Sequence, residues 1–397
     1  MKTTTENFVG RAVLLISHVG GMVDLVALPL WISGLIAALH FMPQQAGALV
    51  SIYIFGVMLS NSLLGPRFMR LEGRYVAAAG FAVSAICFLV LATLAPDFVV
   101  FAALHLLAGL GAGAGLSCVH GTIGRSVNPH RLFAIVNVGV CMFGIVFFAA
   151  TPHLMVTMGV GIVFRILGTL MLCAMLACLF GFPARGADTA GVAHLGGPMA
   201  CKLSARVLAF AGVAFMTAGQ SAMFSFVQQV GMAHGFAAPT IGVLLAVTAV
   251  VNLLAPILAG ALQNRLPATP VAVGGVVLHG CASLIICNTF GFPLFCIAAG
   301  SLVFLTIFSH IFMFGFISRM DRSGRMAALT PSMLMIGTAV GPVLAGTVVH
   351  LSGYPALGLM AAVMAWVSAG CYFLTGIGAR DFLAVGAPVL PLMEAAE

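Results

Sequence analysis

Charge is what this sequence has least of. Only 6% of its 397 residues are Asp, Glu, Lys or Arg, and just nine are acidic. Soluble domains average about a quarter charged. With 62% apolar residues and a mean hydropathy of +1.18, a soluble globular chain is excluded. Paired carboxylates, His-rich metal spacing and a nucleophile–base constellation are also missing, which argues against an enzyme. None of the ten cysteines stands in a Cys-x-x-Cys, and almost all fall in apolar runs. They read as small buried hydrophobes rather than disulfides or ligands, so no metal and no cofactor are expected. Met1-Lys2-Thr3-Thr4-Thr5-Glu6 leads into the first apolar run without a small-residue cleavage site, so no removable signal peptide is expected.

What is present is a succession of apolar runs. They lie at about 12–38, 46–65, 75–95, 98–120, 132–155 and 160–182, then 206–230, 238–262, 270–290, 292–317, 328–350 and 355–377. Each is long enough to cross a bilayer as a helix, which takes about 20 residues. The 47 glycines suit close helix packing in lipid, and barrel strands would alternate apolar and polar residues, which these runs do not. The expectation is an all-α membrane protein of twelve transmembrane helices. The Gly- and Ala-rich stretch after Pro183 divides it into an N-terminal bundle, 1–183, a linker, 184–205, and a C-terminal bundle, 206–397.

The net charge of +7 does not point to nucleic acid, because the basic residues sit on alternate loops. All sixteen Lys and Arg except Arg165 fall on one side of the expected topology. The positive-inside rule then places both termini and the linker in the cytoplasm of a cell whose plasma membrane the chain crosses. Arg165, early in the sixth run, either snorkels to the interface or faces the solute pathway.

One acid lies inside a run. Asp24, in Gly20-Gly21-Met22-Val23-Asp24-Leu25-Val26-Ala27-Leu28-Pro29, falls near the membrane midplane. A lone carboxylate there faces a polar cavity, pairs with a cation or carries a proton. Gly20, Gly21 and Pro29 allow the helix to bend around it.

The two halves share features at a constant spacing. Arg125 and Arg131 precede the fifth run, and Arg319 and Arg325 precede the eleventh, an offset of 194. Gly65, Arg70 and Leu71 follow the second run, and Gly260, Arg265 and Leu266 follow the eighth, an offset of 195. Such repeats meet around a midplane site in transporters. These residues resemble the major facilitator superfamily, over the whole chain. Its Gly-x-x-x-Asp-Arg-x-Gly-Arg signature is matched loosely by Gly65, Arg70, Gly73 and Arg74, with Met69 at the Asp position. In the second half Gly260 and Arg265 match, with Asn264 in place of Asp. The resemblance implies a gating latch at these positions. Topology-setting alone is the alternative.

His105 with Gly109, Gly111, Gly113 and Gly115 looks like the family's Arg-x-x-x-Gly-x-Gly element, with His105 at the arginine position that the family associates with proton coupling. No strand precedes these glycines, so they read as helix-packing residues and not as a phosphate loop. The resemblance also implies that helices 1, 4, 7 and 10 line the central cavity. They would offer Asp24 and Trp31, then His105, then Gln220, Phe224, Gln228 and Gln229, then His310. Asp24 and His105 are the expected proton-coupling pair. Trp31, Gln220, Phe224, Gln228, His310 and Arg165 are the expected solute contacts, against the alternative of interhelical hydrogen bonds.

The resulting expectation is a proton-coupled secondary transporter, working as a monomer by alternating access. Its partners would be protons, membrane lipid and a small neutral or singly charged organic solute, such as an aromatic compound or a carboxylic acid. Efflux of amphipathic drugs and a non-transporting membrane sensor are the rival readings. Helix 5 has no Gly-Pro pair of the kind drug antiporters of the family carry, while helix 11 has Gly341-Pro342.

Overall fold

Apolar runs that cannot hydrogen-bond to lipid must satisfy their backbones internally, and in this chain they do so as helices. The computed structural model describes residues 4–64, 67, 72–127, 129–183, 203–263, 265–320 and 325–378, with the backbone alone at 24–25, 129–130, 203, 318–320 and 325–332. The first seven helices are α1 (Phe8–Gly21), α2 (Val23–Ala37), α3 (Pro43–Leu64), α4 (Gly73–Leu91), α5 (Phe98–Gly124), α6 (Pro129–Met158) and α7 (Gly161–Gly181). Then come α8 (Leu203–Ala233), α9 (Ala238–Leu262), α10 (Ala268–Asn288), α11 (Phe292–Met320) and α12 (Arg325–Gly378).

Helices and crossings do not correspond one to one. α1 and α2 form a single span, Phe8–Ala37, interrupted at Met22, whose φ of −106° and ψ of 6° leave the helical region. α12 has 54 residues, about 81 Å of helix and far more than a bilayer. It folds back at Gly353, where φ is 77° and ψ is −177°, a conformation open essentially to glycine alone. Eleven stretches are long and apolar enough to span, and the one bent at Gly353 crosses twice. The described residues therefore make the twelve crossings expected.

The turn geometry repeats as well. Positive φ occurs at His40 (57°), Gly159 (77°), Gly235 (87°) and Gly353 (77°). All four lie in turns on the face opposite the terminus-bearing side. His40 and Gly235 are 195 residues apart, and Gly159 and Gly353 are 194 apart, the offsets of the arginine motifs.

Glycines set the closest packing. Gly109 and Gly113 of α5 back onto the α3 backbone at Tyr53 and Val57, while Gly111 and Gly115 face α4 at Gly80 and Phe81. Residues four apart share a helix face, so one glycine run serves two neighbours. α1, α4, α5 and α7 pack mostly on one another, as do α8, α10, α11 and α12, while α3 divides its packing between α5 and α12.

Between these groups several described contacts lie at the end away from the termini, while Asn61 Nδ2 of α3 reaches Met335 Sδ of α12 at 3.9 Å nearer the other end. Away from the termini, Ser51 Oγ of α3 accepts a hydrogen bond from Val343 N of α12 at 3.0 Å. Gln228 Nε2 of α8 donates to Ser33 Oγ of α2 at 3.3 Å. Gly242 of α9 packs on Phe148 and Pro152 of α6. At the terminus-bearing end, Glu6 pairs with Arg11 at 2.9 Å and accepts from the Val127 amide at 3.4 Å. Slight burial opposes the Glu6 charge, but bonds from Arg11, Thr5 and Val127 outweigh it and hold the carboxyl below its ordinary range.

Candidate functional site

Beneath the sealed end lies a cavity of about 320 Å³ between the two groups of helices. Its wall comes from the span of α1 and α2 (Met22, Val26, Leu28), from α6 (Asn137, Cys141, Gly144, Phe148) and from α8 (Thr217, Gln220, Phe224). α9 adds Thr248 and Asn252, α11 adds Thr306 and His310, and α12 adds Thr338. Amides, hydroxyls, one imidazole and two phenyl rings make up its polar and aromatic surface. None of the described lining residues is Lys, Arg, Asp or Glu.

Several hydroxyls are already committed to their own helix. Thr248 donates to Leu244 O at 2.9 Å and Thr217 to Val213 O at 3.0 Å. Thr306 Oγ1 lies 3.1 Å from Nδ1 of His279 behind it. By contrast, Asn252 Oδ1 is buried without a hydrogen-bond partner. Such an atom is costly unless water or solute satisfies it.

Of the expected solute contacts, Gln220, Phe224 and His310 line this cavity. His310 also leans on Phe314, ring centres 5.1 Å apart. Gln228 does not line it: the side chain is 2% exposed and spans to Ser33 in the sealed end. Gln229 is buried beside it, with Nε2 unpartnered.

Trp31 and His105 depart from the expected arrangement. Both are buried inside the N-terminal group, Trp31 at 1% and His105 at 0% exposure. Their rings stack at 5.2 Å and 26°, and Phe88, Phe101 and Phe164 close around His105. His105 Nδ1 sits 2.7 Å from Phe101 O, one turn back. α5 is therefore absent from the cavity wall. Its glycine faces are occupied by α3 and α4, and its histidine face by the aromatic cluster. The described wall comes from crossings 1, 5, 7, 8, 10 and 11, rather than 1, 4, 7 and 10.

Arg165 is exposed one turn into α7, in a shallow groove with Ile162, Ile166, Thr169, Leu170 and Cys173, away from the central cavity. Asp24 belongs to α2 between the lining residues Met22 and Val26; its side chain lies outside the described residues. Gly65, Arg70 and Asn264 lie outside them too. Gly73 and Arg74 begin α4, with Arg74 stacked 5.6 Å from the Tyr75 ring, and Gly260 and Arg265 are exposed around the end of α9. Among the described residues, nine cysteines are free thiols.

The lining hydroxyls and Asn252 carried no motif. Their one trace in the sequence is spacing: Thr248 and Asn252, and Thr306 and His310, are four apart, so each pair shares a helix face.

Two groups of spanning helices closed at one end over a central cavity, with no charged residue among its described lining, have the form of a membrane transporter. The profile of the Major Facilitator Superfamily matches residues 13–320, and the chain belongs to that family. Solved structures share the fold at low identity. The crystal structure of a point mutant of the nucleoside transporter NupG superposes with a TM-score of 0.73 at 13% identity, covering 93% of this chain and 99% of that one. A POT family transporter in complex with a thioalcohol-conjugated peptide gives 0.71 at 12% identity, over 93% and 96%. A bacterial homologue of the human lysosomal transporter Spinster, inward-facing and occupied, gives 0.70 at 14%, over 93% and 96%. No curated protein matches the chain.

Proposed function

We propose that this transporter moves a small neutral or singly charged organic solute, aromatic or carboxylic in character, and couples it to protons. The observation that carries the reading is the cavity wall. It offers hydrogen-bonding groups and phenyl rings but no described fixed charge, and it borders the interrupted span that holds Asp24. A multiply charged solute would need buried counter-charges there. Gln220, Phe224 and His310 are the proposed solute contacts, and Asn252 supplies an unsatisfied acceptor.

Asp24 is the proposed proton carrier. His105 acts through Trp31, on the same helix as Asp24, as a positioning residue. The two bundles, 1–183 and 206–397, rock about the cavity, with the 184–205 linker between them. Both termini lie in the cytoplasm by the distribution of basic residues, so the conformation described here is closed to the outside.

A thermal-shift screen of organic acids and aromatic compounds identifies the ligand, since one that binds the folded state raises its melting temperature. Proteoliposomes under an imposed pH gradient then test coupling. Wild type accumulates the ligand, whereas Asp24→Asn exchanges it without gradient-driven accumulation. Intact accumulation in Asp24→Asn removes the role given to Asp24.

A further inference from the structure

The cavity wall is graded from one end to the other. α6 and α8 run away from the terminus-bearing side, and α9 and α11 run back toward it, so position along each helix gives depth. Toward the sealed end, α6 presents Asn137 and then Phe148, and α8 presents Gln220 and then Phe224. Away from the sealed end, α9 presents Leu245 and then Asn252, and α11 presents Val303 and then His310. Each of these helices thus carries its amide or imidazole nearer the termini than its apolar lining residue. Leu245 to Asn252 and Val303 to His310 are the same step of seven residues, two turns along one face and about 10 Å of depth.

The threonines of the wall leave this gradient intact. Thr217, Thr248, Thr306 and Thr338 each turn their hydroxyl onto the carbonyl four residues back, at 2.9–3.2 Å. A hydroxyl has one hydrogen to donate, so the open donors of the wall are the amides and the imidazole. Asn252 and His310 are not pinned by the protein, since Asn252 Oδ1 and His310 Nδ1 are buried without hydrogen-bond partners. An amide and a neutral imidazole each hold a donor and an acceptor, and turning the planar group over exchanges which one a guest meets. At the other end the apolar groups are fixed by the seal. Phe148 and Pro152 support Gly242, and Gln228, one turn beyond Phe224, reaches Ser33.

We infer that the solute is a single-headed amphiphile, an aromatic body with one uncharged head that both donates and accepts hydrogen bonds, and that it binds body first. The body lies by Phe148 and Phe224 under the seal. The head, a carboxamide or a carboxyl in its protonated form, lies by Asn252 and His310. The inference rests on the reading of this cavity as the solute site and narrows it, because a second polar head would be carried into the apolar end. A carboxylate head finds no cation among the described lining, and an ammonium head finds no anion. A head that only accepts leaves the Asn252 oxygen bare, and an unsatisfied buried acceptor is costly.

Three probes separate head from body: hydrocinnamamide, methyl hydrocinnamate, whose head only accepts, and the para-carbamoyl derivative of hydrocinnamamide, which has a second head at the far end. Each is titrated against N-ethylmaleimide labelling of Cys141, which lines the cavity, in the full-length protein, with exposed Cys173 of α7 as internal standard. In wild type, hydrocinnamamide should protect Cys141 at a concentration roughly tenfold or more below that needed of either other probe. Asn252→Leu should erase the preference for the amide over the ester. Phe224→Asn should improve protection by the two-headed probe and keep the preference for amide over ester. Equal protection by amide and ester in wild type, or stronger protection by the two-headed probe, overturns the inference while leaving the cavity as the solute site. Protection by none of the three also overturns it; a ligand from the thermal-shift screen that then protects Cys141 keeps the cavity reading, and one that binds without protecting removes both. The wild-type ranking decides even if a variant fails to fold. No gradient is applied, so the outcome is independent of the coupling given to Asp24.

Discussion

Replacing Gly47 with alanine should drive the protein out of the conformation described here. A Cβ on Gly47 would lie 2.8 Å from the carbonyl carbon of Pro342 and 3.3 Å from Cα of Val343. Carbon atoms in contact sit about 3.5–4.0 Å apart, so α3 and α12 would have to separate by roughly 1 Å. Both obstacles are backbone, and no rotamer change relieves them. Overpacking of this kind costs about 1–3 kcal/mol. The cost falls only on the conformer in which these helices touch, and a differential of that size shifts a two-state population roughly 5- to 150-fold. Gly346 offers an independent version, since its Cβ would meet the carbonyl carbon of Pro43 at 2.9 Å and Cα of Gln44 at 3.0 Å. The assay is labelling of Cys141 by a membrane-impermeant maleimide, added from each face of oriented proteoliposomes. Wild type should react from the terminus-bearing face, and Gly47→Ala and Gly346→Ala each from the opposite face. Unchanged sidedness in both folded variants refutes the reasoning. Faster labelling from both faces with a falling melting temperature does so too, because it means general loosening.

Two further expectations concern the turns opposite the termini. His234, just past α8, packs its ring against Phe290 at 4.8 Å, and burial lowers its pKa below the ordinary 6.5 despite a bond near Cys287. The unfolded chain then takes up a proton that the folded chain resists, so stability is full above about pH 6.5 and falls with acidification. His234→Phe should flatten the acid side of the melting-temperature profile, measured by thermal unfolding from about pH 5 to pH 8. His40 holds a φ of 57° where its counterpart 195 residues on is glycine. A non-glycine residue in that region costs roughly 1–2 kcal/mol, partly offset by the greater freedom of unfolded glycine. His40→Gly should therefore melt no lower than wild type, and His40→Val several degrees lower.

The crossings were legible because bilayer thickness imposes a length, and the twelve runs obey it even where α12 carries two of them on either side of the bend at Gly353. The internal repeat was legible in the arginine motifs and reappears in turn torsions that no composition could reveal. The glycine run of α5 was readable as packing, since alternate glycines address two neighbours. The cavity wall was largely illegible. Helices that are apolar on every side do not declare which face meets solute, so Trp31 and His105 were placed by family position and lie instead in an aromatic interior. Thr217, Thr248 and Thr306 look like routine residues that bond their own helix. The polar-to-apolar order of the lining is divided among α6, α8, α9 and α11, and only the packing of these helices joins it into one gradient.

The interruption at Met22 divides the first crossing between two allegiances. Its lower rod, α1, rests on α5, α6 and α7, whereas its upper rod, α2, leans more on α8 of the opposite group than on α3 beside it. Neither group can swing as a solid block without dragging this shared strut. Met22, next door but one to Asp24, is where the strut would swivel, so whatever binds at that level takes hold of the joint itself.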